Sequence, residues 1–134
     1  MRMKLEEGRP LYVQGRPEKE IRTYKLLEEL QIPFQRLDHE PMYTIDACRE
    51  VDRLLGTEIC KNLFLCNSKR TEYYLLLLPG RKKLITKEVS GKLGTTRLSF
   101  AGEAEMADYL DLTPGSVSVM GLMNDTGCRV QLVI

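Results

Sequence analysis

Apolar side chains at Ile21, Tyr24, Leu27 and Leu30 recur at every third position among Glu, Lys and Arg, which predicts an amphipathic helix beginning at Glu18. Pro33 prevents its continuation, and its apolar stripe is expected to pack on a sheet. Ahead of it, Met1 to Pro17 mixes charges with Gly8, Pro10, Gly15 and Pro17, the composition of a loose arm or of an edge strand at Leu11 to Val13. Phe34 to Leu37 alternates as a short strand and runs into the turn-rich stretch DHEPMYT, Asp38 to Thr44. Ile45, Cys48, Val51, Leu54 and Leu55 then return to helical spacing, with Gly56 as the stop.

Two apolar runs follow, Leu63 to Cys66 and Tyr73 to Leu78. The polar NSKR between them suits a turn, so the pair reads as an antiparallel hairpin. PGRKK predicts another turn, Leu84 and Ile85 a short strand, Lys87 to Leu93 a short helix, Leu98 to Phe100 an apolar patch, and Gly102 to Leu110 a further helix. Pro114 and Gly115 make a turn. Val117 and Val119 alternate with serines as in a half-buried strand, and Asn124 to Gly127 turns the chain into a last strand, Cys128 to Ile134. The class is α/β, of the α+β kind with substantial antiparallel pairing, and a class of this sort implies no function by itself.

Composition narrows the partners. At 134 residues, 43% hydrophobic and 29% charged, the chain has globular composition and the length of one domain. Twenty basic residues face nineteen acidic ones, a net charge of +1, so any nucleic-acid contact is expected to be local rather than a general phosphate-neutralising surface. Cys48, Cys60, Cys66 and Cys128 lack C-x-x-C spacing and have only His39 beside them, which disfavours zinc and reads as reduced core thiols. No apolar run approaches the ~20 residues of a membrane span, and MRMKLEEGRP is not a signal peptide, so the expected home is the cytoplasm, with no membrane partner.

The sequence has no G-x-S-x-G elbow, no Walker loop and no H-E-x-x-H, and one histidine does not support several catalytic roles. Polar residues that the apolar pattern does not require stand out instead: Lys61 and Asn62 at the mouth of a strand, small residues from Gly115 to Gly121, and the pair Asn124 and Asp125. Each has an ordinary explanation, as a solvated strand end, a turn glycine and a turn. His39, beside Glu40 and Pro41, reads first as a structural loop residue.

In their order, four blocks carry more than any of them alone. DHEPMYT, KNLFL, RLSFA and TPGSVSVMGLMNDT resemble the freestanding prolyl-tRNA editing domains, the superfamily of Cys-tRNA(Pro) deacylase, Ala-tRNA(Pro) deacylase and the editing insertion of bacterial prolyl-tRNA synthetase. KNLFL and the PGSV block are most similar to the Ala-tRNA(Pro) deacylase branch. The resemblance spans about Glu18 to Ile134, which assigns 1–17 to an N-terminal arm and 18–134 to the editing domain. The resemblance leads one to expect a further segment with an H-P motif after the last block, so the domain reads as lacking the family's C-terminal segment, either because the given chain is shortened there or because the protein is a reduced variant.

The resemblance implies a mixed, strongly curved, largely antiparallel sheet flanked by helices, with a pocket between the sheet and the DHEPMYT loop and its following helix. It implies hydrolysis of the ester joining a wrong amino acid, alanine foremost, to proline tRNA. Such a second site is needed because missing methylenes change binding by only ~1 to 3 kcal/mol each. The alternatives are a deacylase for Cys-, Ser- or Thr-tRNA and a non-catalytic module that binds tRNA or a synthetase. Lys61, Asn62 and Gly115 are the implied catalytic residues. Tyr43, Thr44, Ser116, Val117, Ser118, Gly121, Asn124 and Asp125 are the implied substrate-binding residues, with Asn124 and Asp125 alternatively fixing the loop. No metal or organic cofactor is implied. The implied partner is the acceptor end of proline tRNA, with prolyl-tRNA synthetase as a second candidate, and the oligomeric state is not readable. Contact with tRNA is expected at Arg81, Lys82 and Lys83, or at Arg2, Lys4 and Arg9, although each cluster also suits an ordinary solvated surface.

Overall fold

Strand β3 (Lys61–Cys66) and strand β4 (Tyr73–Leu78) are the centre around which the second half of the chain is built. They pair antiparallel from Lys61 opposite Leu78 to Cys66 opposite Tyr73. The computed structural model describes residues 3–41 and 45–134. The chain divides after Glu58 into two compact units.

In the first unit, strand β1 (Leu5–Glu7) pairs antiparallel with strand β2 (Gln35–Leu37), and helices α1 (Glu18–Glu29) and α2 (Ile45–Leu55) complete it. The strand expected at Leu11 to Val13 is absent. Leu11 and Tyr12 are largely exposed, and the pairing falls earlier, where the Gly8 amide donates to the Phe34 carbonyl. Tyr24 of α1 is buried with its ring stacked on Phe34, 5.7 Å between centroids. Helix α2 stops at Gly56, whose φ of +69° is left-handed backbone that glycine adopts without a Cβ penalty.

In the second unit the strand order is β5-β3-β4-β6, with β5 (Ser99–Phe100) antiparallel to β3 and β6 (Val130–Val133) parallel to β4. The sheet is therefore mixed and largely antiparallel. Successive residues of a strand face opposite sides. Phe64, Cys66, Tyr73 and Leu75 pack on one side with Met106 and Leu110 of α4 (Glu103–Leu110). Leu65, Tyr74 and Leu76 pack on the other with Leu98, and Leu84, Val89 and Leu93 of and before α3 (Thr86–Leu93) join them. Leu65, Leu75 and Leu110 are fully buried, each contributing about 1.5–3 kcal/mol by leaving water.

Three local expectations are overturned. Leu84 and Ile85 form no strand: Leu84 turns into the core while Ile85, extended and half exposed, starts α3. Val119 belongs to a short 3-10 helix, Val119–Asn124, because the Ser118 hydroxyl accepts from the Met120 amide at 3.1 Å and turns the chain out of the extended form. Of the four free cysteines only Cys66 is a core thiol, the others being exposed, since Cys48 falls on an outer position of α2 while Cys60 and Cys128 lie in the loops that precede β3 and β6. Among the described residues no helix is long and apolar enough to cross a membrane.

Candidate active site

Lys61 is the first residue of β3, and its position follows from the antiparallel register that ends at Leu78. Its side chain is exposed, with Nζ donating to the Lys82 carbonyl at 2.5 Å, across the turn that follows β4. Asn62, one residue on, points to the opposite face of the sheet. Its amide donates weakly to the Cys60 carbonyl, 3.3 Å away. Leu77, the cross-strand partner of Asn62, packs against the core that α4 covers. The α3 core instead receives Leu63, which shares its face with Lys61. The structure thus brings Lys61 and Asn62 to one strand end and parts their side chains.

The turn at Pro114 and Gly115 lies on the Asn62 side, because Val117, like Leu77, packs against the α4 core. Gly115 has φ +87° and open space where a Cβ would stand. Ser116 closes the turn on Thr113, its amide and hydroxyl both donating to the Thr113 carbonyl, at 3.0 and 2.8 Å. Among the described residues the amides of Gly115, Val117 and Ser118 donate to no protein group. They are three donors within four residues of one loop, which is tied by the Ser116 bonds to Thr113 at one end and by the Ser118–Met120 bond at the other.

Gly121, Asn124 and Asp125 sit deeper. Gly121 is buried: an added Cβ would stand 2.6 Å from Leu112 Cδ1 and 3.2 Å from the Leu110 carbonyl oxygen, so glycine is required there for close packing on the end of α4. Asn124 donates to the Leu110 carbonyl at 2.9 Å. The buried Asp125 carboxylate accepts from the amides of Val130 at 2.7 Å and Arg129 at 3.1 Å, and Arg129 Nε lies 3.6 Å away. These three residues tie the 3-10 helix to α4 and β6. Tyr43 and Thr44 lie outside the described residues. His39 is exposed and hydrogen-bonds through Nδ1 to the adjacent Glu40 carbonyl at 2.7 Å.

Sequence reasoning missed two polar clusters. In the first unit Asp38 receives Arg16 at 3.0 Å and Arg36 at 2.7 Å, Arg36 also reaches Glu6, and Glu20 joins Arg16 to the Tyr24 hydroxyl. Its arginine bonds, that to Arg16 first, hold the Asp38 carboxyl below the usual carboxylate range, and burial with the Glu20 bond pushes the Tyr24 phenol up to about 12. In the second unit Glu105 accepts from Tyr73, Arg70 and the Gly102 amide, which lowers its pKa. The G-x-x-E spacing, half of a capping box, was the available signal there. A cleft of about 390 Å³ opens beside this cluster, lined by Thr71, Glu72, Tyr73, Tyr74, Cys128, Arg129 and Gln131, at the opposite end of β3 and β4 from Lys61. Another, of about 570 Å³, is lined by Met3, Lys4, Leu5 and Leu54 in the first unit. No cluster of potential metal ligands occurs among the described residues.

Comparison with known proteins gives this geometry a family. Residues 39–132 match the family model of the aminoacyl-tRNA editing domain. The chain belongs to that family. It is 38% identical over 107 residues to the prolyl-tRNA editing protein ProX of Acetoanaerobium sticklandii, an alignment covering 80% of this chain and 65% of that protein. It is 27% identical over 110 residues to the prolyl-tRNA synthetase associated domain-containing protein 1 of Danio rerio, over 82% of this chain and 59% of that one. The chain thus spans about three fifths to two thirds of the length of these relatives. Among solved structures, a crystal structure of the hypothetical protein APE2540 superposes with a TM-score of 0.59 at 22% identity, over 86% of this chain and 71% of the other, a likeness of fold. The editing-domain match covers the strand that carries Lys61 and Asn62, the Gly115 turn and the Asn124–Asp125 pair.

Proposed function

We propose that this chain is a trans-editing hydrolase that removes a mischarged amino acid, alanine foremost, from proline tRNA. The observation that carries the proposal is the Gly115 turn, with three unpaired amides on the face of the sheet to which Asn62 points, in a member of the editing-domain family. Water adds to the ester carbonyl carbon and negative charge collects on the carbonyl oxygen. The amides of Gly115, Val117 and Ser118 and the Asn62 side chain are the donors for that charge. Collapse breaks the bond between the acyl carbon and the ribose oxygen, which takes a proton, leaving a free amino acid and an intact tRNA end. Gly115 has no side chain to obstruct the acyl group.

Lys61 is the cation at this strand mouth. Its ammonium is exposed and held by one carbonyl, so it can turn to the ester or to the phosphate of the terminal nucleotide at the cost of one exposed hydrogen bond. Residues 18–134 act as the editing domain, and Gly121, Asn124 and Asp125 shape the loop from beneath. The partner is the acceptor end of proline tRNA, supported by the likeness to the prolyl-tRNA editing protein ProX, with prolyl-tRNA synthetase as the neighbour that supplies the mischarged product in the cytoplasm.

The test is deacylation of Ala-, Cys- and Pro-tRNA(Pro) by the chain and by Lys61→Ala, with tRNA binding measured in parallel. Rapid loss of one mischarged species, with kcat/KM lowered about 10- to 100-fold by the substitution, is the expected result. Binding of all three without turnover makes the chain a tRNA-binding module and removes the hydrolase.

A further inference from the structure

The sheet of the second unit separates charge by face. On the α3 side, the stretch from Pro79 to Arg97 carries Lys82, Lys83, Lys87, Lys92 and Arg97, all exposed, against the single acid Glu88. None of these five makes an ion pair among the described residues. On the other side, α4 and its end carry Glu103, Glu105, Asp108 and Asp111 with no basic residue between them, and Arg70 and Arg129 pair with Glu105 and Asp108. Lys61 belongs to the α3 side by strand alternation, and its bond to the Lys82 carbonyl joins it directly to the basic turn. The near-neutral total of the chain therefore conceals a dipolar unit, and a polyanion is attracted by the local field of one face.

We propose that the phosphate backbone of the tRNA lies along the α3 face, on a basic strip running from Lys61 through Lys82, Lys83, Lys87 and Lys92 to Arg97. The inference rests on the editing function proposed above for the identity of the polyanion. Helix α3 is about 12 Å long, and a nucleic-acid duplex presents about one charge per 1.7 Å of its axis. A strip of that length meets several phosphates at once. The other basic cluster read from the sequence fits less well, since Arg9 is engaged by Glu28. The α4 face, where acids outnumber the arginines paired with them, offers no comparable row of unpaired cations, so the backbone lies on the α3 side and the acceptor end reaches Lys61 at the end of the strip.

The experiment is fluorescence-anisotropy titration of labelled, deacylated tRNA between about 50 and 200 mM salt. It compares the wild-type chain, a variant with Lys82, Lys83, Lys87 and Lys92 all changed to Gln, and a second variant carrying Glu103→Gln and Asp108→Asn. The first variant loses two or three phosphate contacts, so its salt slope falls by about 2 to 3, and the weakening across that salt range shrinks by about 10- to 40-fold. The α4 variant keeps or raises the affinity. A wild-type slope in the lysine variant, or an equal change from the α4 variant, overturns the strip while leaving the hydrolase assay untouched. Failure of the wild-type chain to hydrolyse any aminoacyl-tRNA overturns the editing function instead, and binding still reports on the strip.

Discussion

Asp125→Ala separates a substrate-binding role from a structural one. The carboxylate accepts from two backbone amides, Val130 at 2.7 Å and Arg129 at 3.1 Å, at a site where the residue is 7% exposed. Hydrogen bonds to a charged acceptor contribute about 1.5–3 kcal/mol each, and the Val130 amide is left buried without a partner. Because both bonds brace one loop, their losses overlap, and the expected destabilisation is about 3–5 kcal/mol. Against a total of about 5–15 kcal/mol this is a large fraction. Val130 opens β6 and pairs with Tyr73, so the damage spreads to the edge of the sheet. With six tyrosines and no tryptophan, tyrosine fluorescence reports urea unfolding, and the midpoint should fall by about 2 M. Asp125→Asn keeps one acceptor and sets an amide against the other N–H, so it recovers about half of the loss. The structural account fails if Asp125→Ala costs less than about 1 kcal/mol while deacylation by the folded variant collapses.

Two glycines should respond differently to the same methyl group. Gly121→Ala meets Leu112 Cδ1 at 2.6 Å and the Leu110 carbonyl at 3.2 Å, and is expected to cost about 1–3 kcal/mol in urea unfolding through overpacking. Gly115→Ala meets nothing but must hold φ near +87°, a strain of about 1–2 kcal/mol, so its main readout is a lowered kcat as the unpaired amides of the turn shift. Acid should weaken the first unit: the depressed Asp38 contributes fully above its ordinary 3.8 and loses that contribution as pH falls through its folded value, so Asp38→Asn flattens the acid limb of a urea-midpoint profile. The raised Tyr24 phenol acts in the opposite direction, its contribution present below pH 10.0 and lost as pH rises toward about 12, and Tyr24→Phe flattens that alkaline limb.

Periodicity carried the elements whose apolar positions face a core. Ile21, Tyr24 and Leu27 announced α1, and the run Tyr73 to Leu78, buried on both faces of the sheet, announced β4. It misled where a polar atom decides the backbone. Val117 and Val119 alternate like a strand, yet the Ser118 hydroxyl captures the Met120 amide and starts a 3-10 helix. Leu84 and Ile85 resemble a strand because one is turned inward and the other outward, a pattern that any extended linker before a helix also shows. The network around Asp38 left no mark in the sequence, since it joins Glu6, Arg16, Glu20 and Arg36 across up to 32 positions of chain and depends on register rather than spacing.

For the site, the sequence gathered Lys61 and Asn62 as neighbours, and strand geometry divides them. Asn62 faces the core side that holds Val117 and the Gly115 turn, where charge from a tetrahedral centre would be received. Lys61 faces the side of α3 and is bonded into the basic turn, where phosphates would lie. On the function proposed above, the division gives the ester carbonyl to Asn62 and the amides, and the terminal phosphate to Lys61. Asn62→Ala should therefore lower kcat with KM and salt slope kept, whereas Lys61→Met, which retains the apolar stem, should raise KM and reduce the salt slope by about 1. If Lys61→Met lowers kcat alone and leaves the slope intact, the ammonium turns across the strand end to the carbonyl, and the two neighbours act together after all.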